Sequence, residues 1–348
     1  MKRKNVAYTA AAGTAVGVLG LTMLALPVGA GAAPALPQVA PEQLVESVMR
    51  ATPPALTGTV EVDNNLGLPA IPGAGQSSEM LANGTSQFRV WADGQGRHRV
   101  SVPSSHGEMT VVNDGSTVWK WDSGEQKVTR SPERAPEAAD HKAPADPAAA
   151  AREIVGKIRQ TSDVKVDGTA SVAGRDAYEL VLTPKPTERT VLREVRVAVD
   201  AEKRIPLELS VLTNGSNDPA LQVGFSSVDM SAPDPGLFKF TPPAGAKVED
   251  GKAEHGPQQP RQHPQGKVVG DGWDSVLVTQ LPQQQPQKPE KGQDLRQVAE
   301  RTGKPVSGPW GNGWVIGTAA GNALLTSDGR VAVGAVPEQV LTAALGEA

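Results

Sequence analysis

Apolar residues recur at every second position through most of this 348-residue chain, and this period constrains the fold more than any other feature of the sequence. Residues two apart on an extended strand point to the same side, so the period predicts strands with one buried face. Asp93-Gly94, Asp114-Gly115 and Ser123-Gly124 separate successive alternating segments and are typical of hairpin turns. Because the connections are too short for crossover helices, we predict an antiparallel meander.

Two short segments instead repeat apolar residues with a helical period. Pro41-Glu42 begins the first, in which Leu44 and Val48 share one face, and Asp146-Pro147 begins the second with an N-cap followed by proline. Alternation resumes after the second helix. The sequence therefore predicts a mainly β (α+β) fold in the order helix, meander, helix, meander up to about residue 250.

Two tracts rich in Gln and Pro divide the rest of the chain. Residues 251–266 indicate a linker, and residues 281–293 indicate an extended, mobile loop, because neither has a buried-face pattern. Short strands and helices surround the second tract. We predict a signal peptide at 1–32, a main domain at 33–250, the linker, and a small α+β C-terminal domain at 267–348.

The N-terminus predicts the compartment. Basic residues 2–4 precede an uncharged apolar run over 10–26, and Ala30-Gly31-Ala32 fits the small-x-small pattern of a signal peptidase site. We expect cleavage after this site and export, with a mature chain that begins at Ala33. The alternative is an uncleaved anchor helix, because residues 6–26 just reach the length that spans a bilayer.

Charge and cysteine content exclude several function classes. The formal net charge is −4, and loss of the predicted signal peptide removes three basic and no acidic residues. A mildly acidic chain disfavours nucleic acid as a partner and electrostatic docking on anionic lipid. The absence of cysteine excludes disulfides, thiolate metal sites and a thioether lipid anchor.

Catalytic motifs find no support in the sequence. None of the five histidines belongs to a His-x3-His or His-Glu-x-x-His spacing, and the chain has no Gly-x-Ser-x-Gly elbow or phosphate-binding Gly-rich loop. His98 shares a strand face with Val100 and Val102 but has no Ser or carboxylate partner to form a general base. We predict a protein that is not an enzyme and that holds no metal and no cofactor.

Trp119 and Trp121 lie two apart on one predicted strand and therefore share a face. Two adjacent indoles either cover a core or line an apolar cavity, and the sequence leaves both alternatives open. Alternation places further apolar side chains on one face of each strand. The predicted lining residues of a cavity are Phe88, Val90, Val100, Trp119, Trp121, Tyr178, Leu180 and Val197.

Five motifs follow one another over residues 41–250. They are Phe88-Arg-Val-Trp91 with Arg97-x-Arg99-Val, Val112-Asn-Asp-Gly115-Ser-Thr-Val-Trp119-Lys-Trp121, Gly174-Arg-Asp-Ala-Tyr178-Glu-Leu, Val197-Ala-Val-Asp200 with Ile205-Pro-Leu-Glu-Leu, and Phe238-Lys-Phe-Thr-Pro-Pro243. Together they resemble the LolA/RseB-like envelope proteins. The resemblance implies an incomplete antiparallel β-barrel plugged by helices, whose concave apolar face accepts acyl chains of lipids or lipoproteins.

The C-terminal region carries a second resemblance. Its motifs are Gly272-Trp-Asp-Ser-Val, Val306-Ser-Gly-Pro-Trp310-Gly-x-Gly313-Trp and Asp328-Gly-Arg-Val-Ala-Val-Gly-Ala-Val336. They resemble the tail of LolA-like proteins from high-G+C Gram-positive bacteria, and a small domain after a half-barrel is also similar to RseB. The expected function is an exported lipid or lipoprotein carrier. The alternative is an RseB-like envelope regulator, in which the C-terminal domain contacts a membrane anti-sigma factor or another membrane protein.

Overall fold

The computed structural model describes residues 35–67, 84–104, 107–132, 146–251, 266–281 and 295–347. The first part of the chain comprises α1 (Pro41–Arg50), β1 (Ala55–Asn64), β2 (Gly84–Asp93), β3 (His98–Ser104), β4 (Gly107–Asn113), β5 (Thr117–Asp122) and β6 (Lys127–Pro132). The second part comprises α2 (Pro147–Thr161), β7 (Ser162–Val172), β8 (Arg175–Pro184), β9 (Leu192–Asp200), β10 (Pro206–Thr213), β11 (Leu221–Asp229) and β12 (Lys247–Asp250). The third part comprises β13 (Lys267–Val269), β14 (Val276–Gln280), α3 (Leu295–Thr302), β15 (Lys304–Gly308), β16 (Gly311–Thr318), β17 (Gly321–Thr326), β18 (Arg330–Gly334) and α4 (Glu338–Glu347).

The first twelve strands form one open sheet in the order β12-β6-β5-β4-β3-β2-β1-β11-β10-β9-β8-β7. Each of the two meanders is antiparallel and runs in sequence order, and the pairing of β1 with β11 joins them. The order begins and ends on different strands, so the described part of the sheet does not close on itself. The predicted fold class, a mainly β incomplete barrel with helices, is confirmed.

Turn chemistry explains why the meanders form. At the β4–β5 turn, Asp114 Oδ1 accepts hydrogen bonds from the backbone N–H groups of Ser116 and Thr117, at 2.9 and 2.8 Å. Gly115 has φ +93°, a left-handed conformation that glycine adopts without strain. The aspartate therefore replaces part of the backbone hydrogen bonding at the position where the chain reverses.

The two helices begin where the sequence predicts. Asp146 Oδ1 accepts a 3.0 Å hydrogen bond from Ala149 N–H, which caps α2, and Pro147 occupies the first helical position. Helices α1 and α2 pack against each other and against β7. Arg159 of α2 forms an ion pair with Glu42 of α1.

The chain after β11 wraps onto the other half of the sheet. A short 3-10 helix at Pro235–Phe238 contacts β3, and β12 then adds to β6 in parallel orientation. Phe238 is fully buried. Neither the wrap nor the parallel strand was predicted, because no local pattern shows where residues 230–250 pack.

The remaining strands form a second sheet in the order β13-β14-β18-β17-β16-β15. One of its faces packs on α4 around fully buried Val276, Leu324 and Leu341. Residues Leu36–Ala348 belong to one compact unit. The predicted separation into independent domains at 33–250 and 267–348 stays a prediction.

Several sequence predictions lie outside the described residues. They are the signal peptide at 1–32, nearly all of the linker at 251–266, and the loop at 281–293 beyond its first residue. Among the described helices, none is long and apolar enough to cross a membrane.

Candidate functional site

An apolar band crosses one face of the large sheet from strand to strand. Residues paired directly across neighbouring strands point to the same face. The band follows the pairs Phe88 with Val60, Val90 with Val100, Val62 with Val223, Val223 with Leu209, Leu209 with Val197, and Val197 with Leu180. We call this the inner face, because helix α1 packs on it, and the opposite side the outer face.

Helix α1 seals the inner face at the β7–β9 end of the sheet. Leu44 of α1 is fully buried in a cluster with Tyr178 of β8 and Val199 of β9. Leu180 and Val197 of the band pack against this cluster and are half-buried. This end of the band is therefore enclosed by apolar side chains from both the sheet and the helix.

The inner face remains partly accessible away from this end. Phe88, Val90 and Val100 are half-buried, and Leu209 is 37% exposed. Apolar side chains that stay half-buried on the face of an open sheet provide the kind of surface that an apolar ligand covers.

Six of the eight predicted lining residues lie on the inner face, in two groups. Phe88, Val90 and Val100 lie on β2 and β3, whereas the others, Tyr178, Leu180 and Val197, lie on β8 and β9. Strands β1, β11 and β10 separate the two groups. The apolar band crosses these three strands and makes the two groups parts of one surface.

The structure corrects the placement of Trp119 and Trp121. Both indoles lie on the outer face, because Val112 pairs with Trp119 and Thr110 with Trp121, whereas the inner-face residue Val111 pairs with Lys120. Both indoles are half-buried there, and whether they cover a core or line a cavity stays open. The physical reason for the wrong placement is that both faces of β5 carry apolar side chains, Val118 on one and the two indoles on the other. The alternation within β5 therefore does not show which face is the inner face.

The outer face around Trp119 is closed by the chain that follows β11. The Trp119 and Phe240 ring centroids lie 5.6 Å apart, and the Arg97 guanidinium lies 5.4 Å from the Phe238 ring centroid. Val112 of β4 is fully buried beneath this cover. The outer face at β3–β6 thus has a packed apolar layer around Trp119.

Asp114 connects this core to the β4–β5 turn. Trp119 Nε1 donates a 3.0 Å hydrogen bond to Asp114 Oδ2. Burial raises the pKa of Asp114, but the hydrogen bonds from Trp119 and from Ser116 and Thr117 outweigh it and leave the pKa below its ordinary value. The carboxylate is therefore a structural acceptor in its ionised form.

Gly58 allows the band to cross from β1 to β11. A Cβ atom at this position would lie 2.6 Å from the Phe225 ring. Glycine at this position therefore leaves room for the Phe225 ring. Phe225 itself pairs with Val60, directly after a register shift between Thr59 and Val60.

Two charged groups flank the sealed end of the band. The Arg204 guanidinium carbon lies 4.8 Å from the Tyr178 ring centroid, a cation–π distance. Asp200, at the end of β9, is fully buried and bonded to Arg175, with 3.1 Å from Nη2 to Oδ1. Burial raises the pKa of Asp200, but hydrogen bonds from Arg175 and from the Lys203 and Glu202 backbones outweigh it and lower the pKa.

Sequence reasoning missed the middle of the band. Val60, Val62, Leu209, Val223 and Phe225 all belong to predicted strands, and their alternation was visible. Their contribution depends on the pairing of β1 with β11, which are far apart in sequence. Within the described residues, no group of three or more His, Asp or Glu side chains is arranged to hold a metal ion.

Comparisons with known proteins give structural matches only. No protein-family model and no curated protein sequence matches the chain. Among solved structures, the chain is similar to MucB of Pseudomonas aeruginosa in its complex with MucA, at 16% identity and a TM-score of 0.43, over 87% of this chain and 94% of that chain.

Two further matches cover a smaller part of the chain. A LolA superfamily protein from Nitrosomonas europaea matches at 13% identity and a TM-score of 0.25, over 58% of this chain and 99% of that chain. The lipoprotein LppX of Mycobacterium tuberculosis matches at 10% identity and a TM-score of 0.26, over 53% and 92%. The matches include the kinds of protein that the sequence motifs resemble, but they transfer no residue role to this chain.

Proposed function

We propose that this protein is an exported, non-enzymatic carrier that holds acyl chains of lipids or lipoproteins against the inner face. The observation that carries the proposal is the apolar band, which α1 seals at the β7–β9 end and which stays half-buried at Phe88, Val90 and Val100. A ligand that covered these side chains would complete the burial that the helices begin.

The energetics of such a site require no catalytic group. Each CH₂ group of an acyl chain gains about 0.8 kcal/mol on burial. Burial of several such groups on the band would already give useful affinity. Shape and hydrophobicity alone therefore account for a carrier function.

A charge on the inner face tests the proposal. Val100→Arg places a guanidinium in the middle of the half-buried group, so we expect the variant to lose at least tenfold in affinity for a dansyl-labelled fatty acid. Gln87→Arg is the matched control, because Gln87 is exposed on the outer face and hydrogen-bonded to Glu61. Equal affinity in both variants, with native circular dichroism, would contradict the proposal.

The second candidate function is an RseB-like regulator, and an apolar row on the second sheet favours it. Val268, Leu277 and Val333 are in register across β13, β14 and β18 and are 61%, 47% and 45% exposed. Such a row on a C-terminal sheet suits a membrane protein as partner. If the protein is a regulator, Leu277→Glu will abolish capture of one membrane protein from host membranes and leave fatty-acid binding unchanged.

Export forms part of the proposal and rests on the N-terminal sequence. We expect the protein recovered outside the host cytoplasm to begin at Ala33. N-terminal sequencing of the exported protein tests this. A start at Met1 together with membrane fractionation would replace the diffusible carrier by a tethered protein and would favour the regulator.

A further inference from the structure

A cavity lies where the two sheets meet. It has a volume of about 400 Å³, and its lining includes Ile158 of α2, Leu182 of β8, Leu192 of β9 and Trp273 from the segment between β13 and β14. None of its described lining residues carries a charge. The cavity is thus an uncharged space that opens to solvent, lined by large apolar side chains and by the hydroxyl groups of Thr161, Ser162 and Ser275.

The junction around the cavity is held by specific contacts. Trp273 Nε1 donates a 2.6 Å hydrogen bond to Ser162 Oγ, and Trp273 N–H donates a 2.9 Å bond to Glu188 Oε2. Ser162 is buried, so its hydroxyl has its partner within the protein. The indole therefore lies in a fixed orientation with its apolar surface available to the cavity.

Glycine permits the close approach of the two parts. Gly272 has φ +61°, and a Cβ atom there would overlap the Thr161 side chain. Val191 N–H donates a 3.0 Å hydrogen bond to Ala335 O, and Thr190 Oγ1 donates a 2.6 Å bond to the same oxygen. These contacts make the cavity a feature of a tightly fitted junction.

The inner face leads directly to this cavity. Leu182 lines the cavity and also continues the inner-face row of β8, because Leu182 pairs with Val195 as Leu180 pairs with Val197. Ser162 pairs with Pro184 and lies on the same face. Val211 pairs with Val195, so the row Val211–Val195–Leu182 lies beside the part of the band that α1 covers. An elongated apolar ligand would reach the cavity along this row.

From this continuity we propose that the junction cavity receives the methyl end of the acyl chain and sets the chain length that the protein prefers. This inference rests on the proposed carrier function and deepens it. Ile158 and Leu192 bound the end of the chain, and the Trp273 indole stops it. The second sheet thereby forms part of the binding site of the large sheet.

Chain-length dependence tests the inference. Fatty acids from ten to eighteen carbons are titrated against the full chain, and affinity is expected to rise about fourfold for each CH₂ group that enters the cavity, which corresponds to about 0.8 kcal/mol. Ile158→Trp fills the cavity, so it should remove the gain for long chains and keep the affinity for short ones. Val248→Trp, at an exposed position of the edge strand β12, is the control. A second titration series uses lipopeptides acylated with the same chains. If only one series, free fatty acids or lipopeptides, shows the expected dependence of affinity on chain length, that class is the ligand of the cavity.

A second measurement does not depend on the folding of the Ile158 variant. A fatty acid with bromine at its methyl end should quench tryptophan fluorescence in the wild type, and Trp273→Phe should remove that quenching. Equal loss of affinity at all lengths in Ile158→Trp, or unchanged quenching in Trp273→Phe, would overturn the inference while the carrier function stands. If no fatty acid of any length binds the wild type, the proposed function itself fails and the inference falls with it.

Discussion

The two ends of the large sheet use their inner faces differently. At β7–β9 both faces are buried, because Leu44 of α1 packs on Tyr178 on the inner face, and Ala177, Val181 and Ala198 are buried on the outer face. At β3–β6 the most deeply buried apolar residues, such as Val112 and Val128, lie on the outer face, where the segment that contains Phe238 and Phe240 packs near β3 and Trp119. The inner face thus contributes to the apolar core at β7–β9, whereas at β3–β6 the outer face provides it.

Because of this difference, we expect different residues of the sheet to stabilise the fold and to bind the ligand. A core on the outer face holds β3–β6 in place, so Val100 on the inner face of β3 stays half-buried beside Phe88 and Val90 of β2 and is suited to a ligand. At β7–β9 the helices use the inner face for the core. We therefore expect substitutions under the two covers to lower the free energy of unfolding, and substitutions on the half-buried band to lower ligand affinity.

Phe238→Ala should have the largest effect. It removes a fully buried ring from the outer-face core, which typically costs about 4 kcal/mol. Urea unfolding measures the loss, and fatty-acid affinity of the folded variant should equal that of the wild type. Lys239→Ala is an exposed control. A loss below about 1 kcal/mol would mean that this cover does not hold the outer face.

Leu44→Ala removes the corresponding anchor of the helix-covered end. We expect a loss of about 3 kcal/mol and faster hydrogen exchange in α1, because Leu44 is the fully buried side chain of that helix. Unlike the change at Phe238, it should also speed fatty-acid release. Arg50→Ala, at the exposed end of α1, serves as control. If Leu44→Ala and Phe238→Ala release the fatty acid at the same rate, the helix cover and the Phe238 segment do not differ in their effect on binding.

The matched pair Val112→Ala and Val100→Ala compares the two faces directly. Val112 is fully buried on the outer face of β4, so its loss should cost about 2 kcal/mol and leave binding unchanged. Val100 is half-buried on the inner face of β3. We therefore expect Val100→Ala to lower the free energy of unfolding by about 1 kcal/mol and to lower fatty-acid affinity several-fold. Reversed effects on binding would assign the ligand to the outer face.

Asp200→Asn tests the electrostatic support of the helix-covered end. The folded-state pKa of Asp200 is lowered, so the ionised carboxylate stabilises the fold above its ordinary pKa of 3.8. This contribution is lost as pH falls from about 4 toward the folded pKa. We expect the free energy of unfolding, measured with urea, to be about 1 kcal/mol higher for the wild type than for the variant at neutral pH. This difference should become smaller below pH 4. A difference independent of pH would contradict the role of the charge.

Local sequence predicted the elements of the fold well. Proline and aspartate at Asp146-Pro147 begin α2, and Asp114-Gly115 makes the turn that the period requires. Six of the residues predicted to line a cavity share one face, because the apolar residues of each of their strands lie on a single side; that they line a cavity stays a prediction. These features depend on interactions within a few residues, which a sequence pattern records.

The remainder depends on contacts between distant segments. Trp119 and Trp121 alternate with Val118 and Lys120, so both faces of β5 have apolar groups, and only the residues around Phe240 determine which is the core. The β1–β11 pairing and the parallel β12 are likewise set by long-range packing. The junction cavity depends on Gly272, whose role is visible only when Thr161 is beside it.

The two edge strands of the open sheet affect how separate molecules behave toward each other. An exposed strand edge offers free backbone groups to a second chain and promotes aggregation. Here β12 has only four residues and its Glu249 pairs with Lys127 and Lys247. The other edge strand, β7, is interrupted by a register shift between Val166 and Thr169. A short charged strand and an irregular one both disfavour the addition of another strand. The open sheet can therefore expose one face to a ligand without pairing edge to edge with a second copy of the chain.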